Sequence, residues 1–153
     1  MSEHCGTTIT ATLDGVARVA LVGSPNAGKT TLFNALTGLR AKTGNYPGVT
    51  VARYEGRVET DKGSVVVEDL PGTYSLDPIS PDEEIVAQVV ENAEDLDGIL
   101  VVLDSTNLTR GLGLVAQVQQ AGRPVAIVLT FVDELLRRGG KLDPAALSRA
   151  LGL

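Results

Sequence analysis

The sequence has no tryptophan and one cysteine among 153 residues. Cys5 alone excludes an internal disulfide and fits a reducing compartment. His4 beside it makes half a metal site at best, and a frayed polar tail is the stronger reading. Aromatic residues are 3% of the chain, so a core has to be built from Val, Leu, Ala and Ile. Positive charge is in deficit: 13 Lys and Arg face 19 Asp and Glu, a net charge of −6. That argues against a generic grip on nucleic acid, which needs a basic face. Long apolar runs are missing too. GILVVL (98–103) is too short to cross a bilayer, and the N-terminus lacks a charged-then-apolar signal layout. The chain as given is expected to be soluble.

What is present is ordinary for a globular domain: 43% hydrophobic and 21% charged residues, in a length that suits one core. Residues 1–15 are Thr-rich and unpatterned and read as a flexible N-terminal segment, leaving 16–153 as the domain. VARVALVG (16–23) reads as a strand buried on both faces. KTTLFNALTG (29–38) continues as a helix with Leu32, Leu36 and Phe33 inward and Gly38 as its stop. LRAKTGNYPG (39–48) is loop chemistry. VTVARYEGRVET (49–60) alternates like an edge or hairpin strand, DKG turns it, and SVVVEDL (64–70) is its partner. Ser80, Pro81 and Glu83 open a helix to about Ala93. A buried strand (97–104), a helix weakened by Gly111 and Gly113, a strand (124–130), a short helix (133–138) and a helix capped by Asp143 follow. Strands alternating with helices predict an α/β domain with a mostly parallel sheet and helices on both faces. Ligands of such sheets sit at the carboxyl ends of the strands.

Gly23-Ser24-Pro25-Asn26-Ala27-Gly28-Lys29-Thr30 fits G-x-x-x-x-G-K-[ST], between a strand and a helix. The glycines let the backbone curl through Ser24, Pro25, Asn26 and Ala27 so that its N–H groups, which Pro25 alone lacks, point at a phosphate. The helix behind adds its positive end. Lys29 neutralises β- and γ-phosphate oxygens, Thr30 offers its hydroxyl to Mg²⁺, and Thr31 is a second phosphate contact.

A P-loop alone does not choose the base. Asp69-Leu70-Pro71-Gly72 reads D-x-x-G after a buried strand: Asp69 holds Mg²⁺ through water and the Gly72 N–H senses the γ-phosphate. Thr50, in the loop between, caps the Mg²⁺ when a γ-phosphate is present. Thr130-Phe131-Val132-Asp133 stands where N-K-x-D is expected. Asp133 is placed to accept from guanine N1 and N2. Thr130 departs from the asparagine. It has no amide, so it cannot both bond the base and brace the P-loop, and looser base discrimination follows.

GSPNAGKTTLFNALTG, TGNYPGVTVARYEG, VEDLPGTYSL, SPDE and LVVLDSTNLTRGL together resemble the cytosolic G domain of the ferrous-iron transport protein B family, over roughly residues 16–143. The resemblance implies a Ras-like G domain of the P-loop NTPase class, lacking its C-terminal strand and helix and the fifth guanine-contact loop. It implies GTP and GDP as ligands, Mg²⁺ and K⁺ as cofactors, and slow, K⁺-dependent hydrolysis. Asn26 matches the asparagine that helps hold K⁺ beside the phosphates, and Gly48 and Val49 join Thr50 in the first switch segment. With Lys29, Gly72 and Thr50, Asn26 makes the expected catalytic set. Thr73 stands where many relatives of Ras carry a water-orienting glutamine, and it is too short for that task. Tyr46 replaces a more usual tryptophan. Arg40, Lys42 and Arg53 lie near the mobile loop, where surface charge outweighs a catalytic arginine. Partners implied are the helical and transmembrane domains of a parent transporter at the cytoplasmic face of the bacterial inner membrane; a homo-oligomer stays open, and nucleic acid is not expected. Two other functions stay open: a ribosome- or tRNA-modification-type GTPase, and a nucleotide-binding regulatory module with little hydrolysis.

Overall fold

The structure is a computed structural model that describes residues 16–153; the segment 1–15, with His4 and Cys5, lies outside the described residues. β1 (Ala17–Gly23) is buried along almost its whole length, as a strand covered on both faces has to be. Alternate side chains go to opposite faces. Ala20 and Val22 join one apolar cluster, while Leu21 joins another.

β1 lies inside a six-stranded sheet. The other strands are β2 (Ala41–Asn45), β3 (Ala52–Thr60), β4 (Gly63–Asp69), β5 (Gly98–Asp104) and β6 (Val125–Thr130), and the order is β2-β3-β4-β1-β5-β6. β4, β1, β5 and β6 run parallel. β3 pairs antiparallel with both β2 and β4. Register brings Leu21 opposite Asp69, Gly23 opposite Val102, and Asp104 opposite Thr130. The carboxyl ends of four parallel strands therefore share one rim.

One element departs from the sequence reading. The stretch expected as loop contains β2, paired from Ala41↔Gly56 to Asn45↔Ala52. Its side chains are almost all exposed, so no apolar alternation marks it, and backbone pairing holds it. β3 is consequently an interior strand and not an edge, while the hairpin it was expected to form with β4 is present, closed at Thr60↔Gly63.

α1 (Lys29–Thr37) buries Lys29, Phe33 and Thr37, one row at four-residue spacing. Phe33 packs on Leu21 and Val67 on one face of the sheet. Leu36, expected inward, is displaced from that row and exposed, and Leu32 is half-buried. Gly38 ends the helix in the left-handed region, as read.

The opposite face carries α2 (Pro81–Asn92) and α3 (Leu108–Gln120). Val86, Val90, Leu114, Val115 and Val118 pack there with Ala20, Val22, Ile99 and Val101. α2 has the cap read from its sequence: Glu83 N–H donates to Ser80 Oγ over 3.3 Å, and Glu83 returns a carboxylate to the Ile79 N–H at 2.8 Å. In α3, a Cβ at Gly111 would lie 2.4 Å from Leu103 Cδ2, whereas one at Gly113 would meet nothing within 4 Å. Gly111 thus permits close packing of α3 on β5. α4 (Val132–Arg137) and α5 (Pro144–Leu151) complete the chain, the latter capped by Asp143, which accepts from Ala146 N–H at 2.9 Å. The expected α/β architecture, mostly parallel with helices on both faces, is the one observed.

Candidate nucleotide-binding site

Between β1 and α1 the chain turns through residues 24–28. Asn26 (φ 67°) and Gly28 (φ 84°) lie in the left-handed region, and Ala27 N–H closes the turn on Ser24 O at 3.2 Å. Gly28 is the N-cap of α1 and supplies no side-chain cap. The first N–H groups of the helix are therefore presented to the space before it. From the opposite side comes Gly72, where a Cβ would lie 3.1 Å from Pro25. The result is a cleft of about 330 Å³ lined by Ser24, Pro25, Asn26, Gly28, Lys29, Thr30, Thr31 and Gly72. Ala27 is buried beneath it.

Lys29 turns its ammonium to Asp69 and to the Leu70 carbonyl, and both charged side chains are nearly buried. The cation expected on phosphate and the anion expected on Mg²⁺ hold each other. Thr30 and Thr31 are exposed on the first turn of α1. An ammonium, two hydroxyls, a carboxylate and free helix N–H groups form a donor set that fits a phosphate chain with a hard divalent cation. The Asn26 side chain is exposed beside it and adds an amide oxygen suited to a hard monovalent cation.

Thr73 N–H donates to the Gly23 carbonyl at 2.9 Å, which ties the D-x-x-G loop to the P-loop. Its side chain is fully buried and donates to the Ser75 carbonyl at 2.6 Å. Thr73 is not among the residues that line the cleft.

Thr130, at the end of β6, donates to the Ala27 carbonyl at 2.6 Å and lies 3.1 Å from the Leu103 carbonyl. Of the two duties that a threonine cannot combine, it performs the bracing. Phe131 follows at φ 55°, half-exposed, with Cζ 3.6 Å from where a Gly28 Cβ would be. Asp133 lies in the first turn of α4, 83% exposed, its nearest charged partner Arg137 at 3.7 Å. Gly48, Val49 and Thr50 do not line the cleft; they occupy an exposed turn where Val49 N–H bonds Tyr46 O at 3.3 Å.

Sequence reasoning missed what anchors that turn. Tyr46 is buried and donates to Glu68 Oε1 at 2.6 Å. Glu68 is buried next to Asp69 and pairs with Arg53 at 3.2 Å and Arg18 at 3.5 Å. Arg53 also lies 5.7 Å from the Tyr46 ring centroid, so it belongs to this network and is no solvated surface charge. Arg40 and Lys42 are exposed, as expected. Burial first, and then the Glu68 carboxylate, push the Tyr46 phenol well above its usual range. The Arg18 guanidinium is raised too: burial opposes its charge, but the Glu55 hydrogen bond and the Asp95, Glu55 and Glu68 charges outweigh it. The alternation of Arg53 and Glu55 on β3 was the only sequence trace of this network.

A family model described as ferrous iron transport protein B matches residues 17–153. The chain belongs to the ferrous iron transport protein B family. A relative from Porphyromonas gingivalis, a fusion of Fe(2+) transport protein A with the Fe(2+) transporter FeoB, is 44% identical over 138 residues, covering 90% of this chain and 16% of that protein. The Fe(2+) transporter FeoB of Leptospira biflexa is 44% identical over 135 residues, covering 88% and 20%. The chain thus spans a fifth or less of these relatives. The crystal structure of the G domain of T. maritima FeoB superposes with a TM-score of 0.83 at 37% identity, covering 90% of this chain and 83% of that one. A point mutant of S. thermophilus NFeoB bound to GDP gives 0.84 at 42%, covering 90% and 53%. The fold is therefore that of the FeoB G domain, the P-loop GTPase class the sequence implied. Among the described residues no helix is long and apolar enough to cross a membrane.

Proposed function

We propose that this chain binds GTP and hydrolyses it slowly, as the switch domain of a bacterial ferrous-iron transporter whose helical and transmembrane domains are its partners. In that parent it works at the cytoplasmic face of the inner membrane. The observation that carries the reading is the P-loop cleft, where the Lys29 ammonium, the Thr30 and Thr31 hydroxyls and the opening N–H groups of α1 converge with Gly72.

The triphosphate tail takes the Lys29 ammonium from Asp69, and the N–H groups from Gly28 onward bind its oxygens. Asp69 and the Thr30 hydroxyl are the groups that would hold Mg²⁺, joined by Thr50 from the first switch, with Gly48 and Val49 carried along. The Gly72 N–H meets the γ-phosphate. Asn26 is the side chain that would hold K⁺. Bound there, the cations supply positive charge where the transition state gathers negative charge. Asp133 accepts from guanine N1 and N2. Loss of the γ-phosphate releases both switch segments.

Phosphate release from GTP, measured in KCl and in NaCl, tests the reading. Faster turnover in KCl, lost in Asn26→Ala, is expected. Equal rates in the two salts would remove K⁺ from Asn26. A second reading, a nucleotide-binding regulatory module, is favoured by the buried Thr73, whose hydroxyl is committed to the Ser75 carbonyl. Tight GTP binding without phosphate release would establish it.

A further inference from the structure

We propose that Gln117 and Arg110 of α3 are positioning residues for the γ-phosphate: they clasp the segment after Gly72 to the helix, so that Gly72 stands ready at the cleft before the nucleotide arrives. The inference rests on the GTP reading above.

Between β4 and α2 the chain forms no helix or strand, so no backbone ladder fixes the residues that follow Gly72. Thr73 N–H is tied to β1 through the Gly23 carbonyl. From Tyr74 on, α3 does the holding. Gln117 Oε1 accepts from Leu76 N–H at 2.8 Å and lies 3.1 Å from Ser75 Oγ, while Gln117 Nε2 donates to Asp77 Oδ2 at 3.1 Å. A backbone N–H can only donate, so it fixes which end of the amide faces it, and the Asp77 carboxylate meets the other end. One half-buried side chain thus engages three consecutive residues of the loop. Arg110 stands about two helical turns earlier on α3, hence on the same face, with its guanidinium 4.9 Å from the Tyr74 ring centroid. In the GTP reading the γ-phosphate is the group that meets Gly72. A loose loop would have to be ordered by that phosphate, and affinity would fall by the cost of ordering it. GDP does not reach Gly72 and would lose nothing. The clasp therefore favours the triphosphate without touching it.

Competition of Mg·GDP and of Mg·GMPPNP, a GTP analogue that resists hydrolysis, against a fluorescent GDP analogue reads the difference. In Gln117→Ala, GMPPNP affinity is expected to drop by about tenfold, the order of two net hydrogen bonds, with GDP affinity unchanged. Arg110→Ala should act in the same direction, by about 2- to 5-fold, as loss of one exposed cation–π contact gives. Gln117→Glu keeps an acceptor for Leu76 N–H but sets a carboxylate against Asp77, so it too should lose GMPPNP affinity. Adding Asp77→Asn gives that carboxylate an amide donor and should restore the affinity. Parallel losses for both nucleotides in Gln117→Ala would mean that the glutamine only supports the fold, and GMPPNP binding as tight as in the unaltered chain would mean that Gly72 is presented without it. Either result overturns the proposal, as does a double variant no tighter for GMPPNP than Gln117→Glu. An unaltered chain that binds neither nucleotide overturns the GTP reading, and the clasp's role with it.

Discussion

Lys29 and Asp69, 40 positions apart, neutralise each other inside the protein with both side chains nearly buried. Removing one partner of such a pair leaves an uncompensated charge in a poor solvent, at a cost of about 3–5 kcal/mol. Lys29→Met is therefore expected to lower stability in urea by about 3 kcal/mol, before any ligand is considered. The same variant loses nucleotide protection, because the phosphates lose their cation. An unchanged urea midpoint would show that the ion pair adds nothing to the fold.

The Thr130–Ala27 hydrogen bond yields a second expectation. Thr130→Val keeps the shape and strips the Ala27 carbonyl of its donor, which costs about 1–3 kcal/mol if that carbonyl stays dry. Thr130→Asn restores an amide with donors for the P-loop and for the base together. GDP should then bind about tenfold more tightly, one net hydrogen bond, and ATP should compete less well against a fluorescent GDP analogue. If ATP competes as well as GTP in both proteins, guanine selection through Asp133 is wrong.

Most of the scaffold was legible because its signals are local. The G-x-x-x-x-G-K-T run, the Ser80–Glu83 cap and the apolar runs of β1, β5 and β6 each state their structure within a few residues. The cleft residues from Ser24 to Thr31 with Gly72 were named on that basis and come together. What stayed hidden is non-local. β2 has exposed side chains and exists through pairing with β3, so no pattern within 39–48 reveals it. The buried Glu68 resembles any acidic residue until three strands bring Arg18, Arg53 and Tyr46 to it.

Two glycines of α3 look equivalent in sequence and are not in space. Gly113→Ala meets open space and gains helix propensity, so it should stabilise by about 0.5–1 kcal/mol. Gly111→Ala drives a methyl to 2.4 Å from Leu103 Cδ2. Overpacking of this kind costs about 1–3 kcal/mol, which outweighs the same propensity gain. Thermal melting of the two variants should therefore move in opposite directions, and shifts of the same sign would contradict the packing of α3 on β5.

Tyr46 supplies a pH signature. Its phenol is held neutral by burial and by the Glu68 carboxylate, so its folded pKa lies above the unfolded value of 10.0. Above that pH the unfolded chain has released the proton and the folded chain has not, so the unfolded state binds fewer protons. Stability then falls as pH rises, by up to about 1.4 kcal/mol per pH unit from this one group. Below the unfolded pKa the contribution is fully present. Tyr46→Phe lacks the titration and also lacks the bond to Glu68, worth about 1.5–3 kcal/mol for a charged acceptor. At neutral pH the variant should be the less stable protein by that order. Between about pH 9 and pH 11 the parent's advantage should shrink by about 1.4 kcal/mol, while the other alkaline groups titrate alike in both and cancel. Urea unfolding of the pair at several pH values reads the difference directly. A gap that stays constant across that range would mean that Tyr46 ionises as freely in the fold as in the open chain, and that the Glu68 contact does not restrain it.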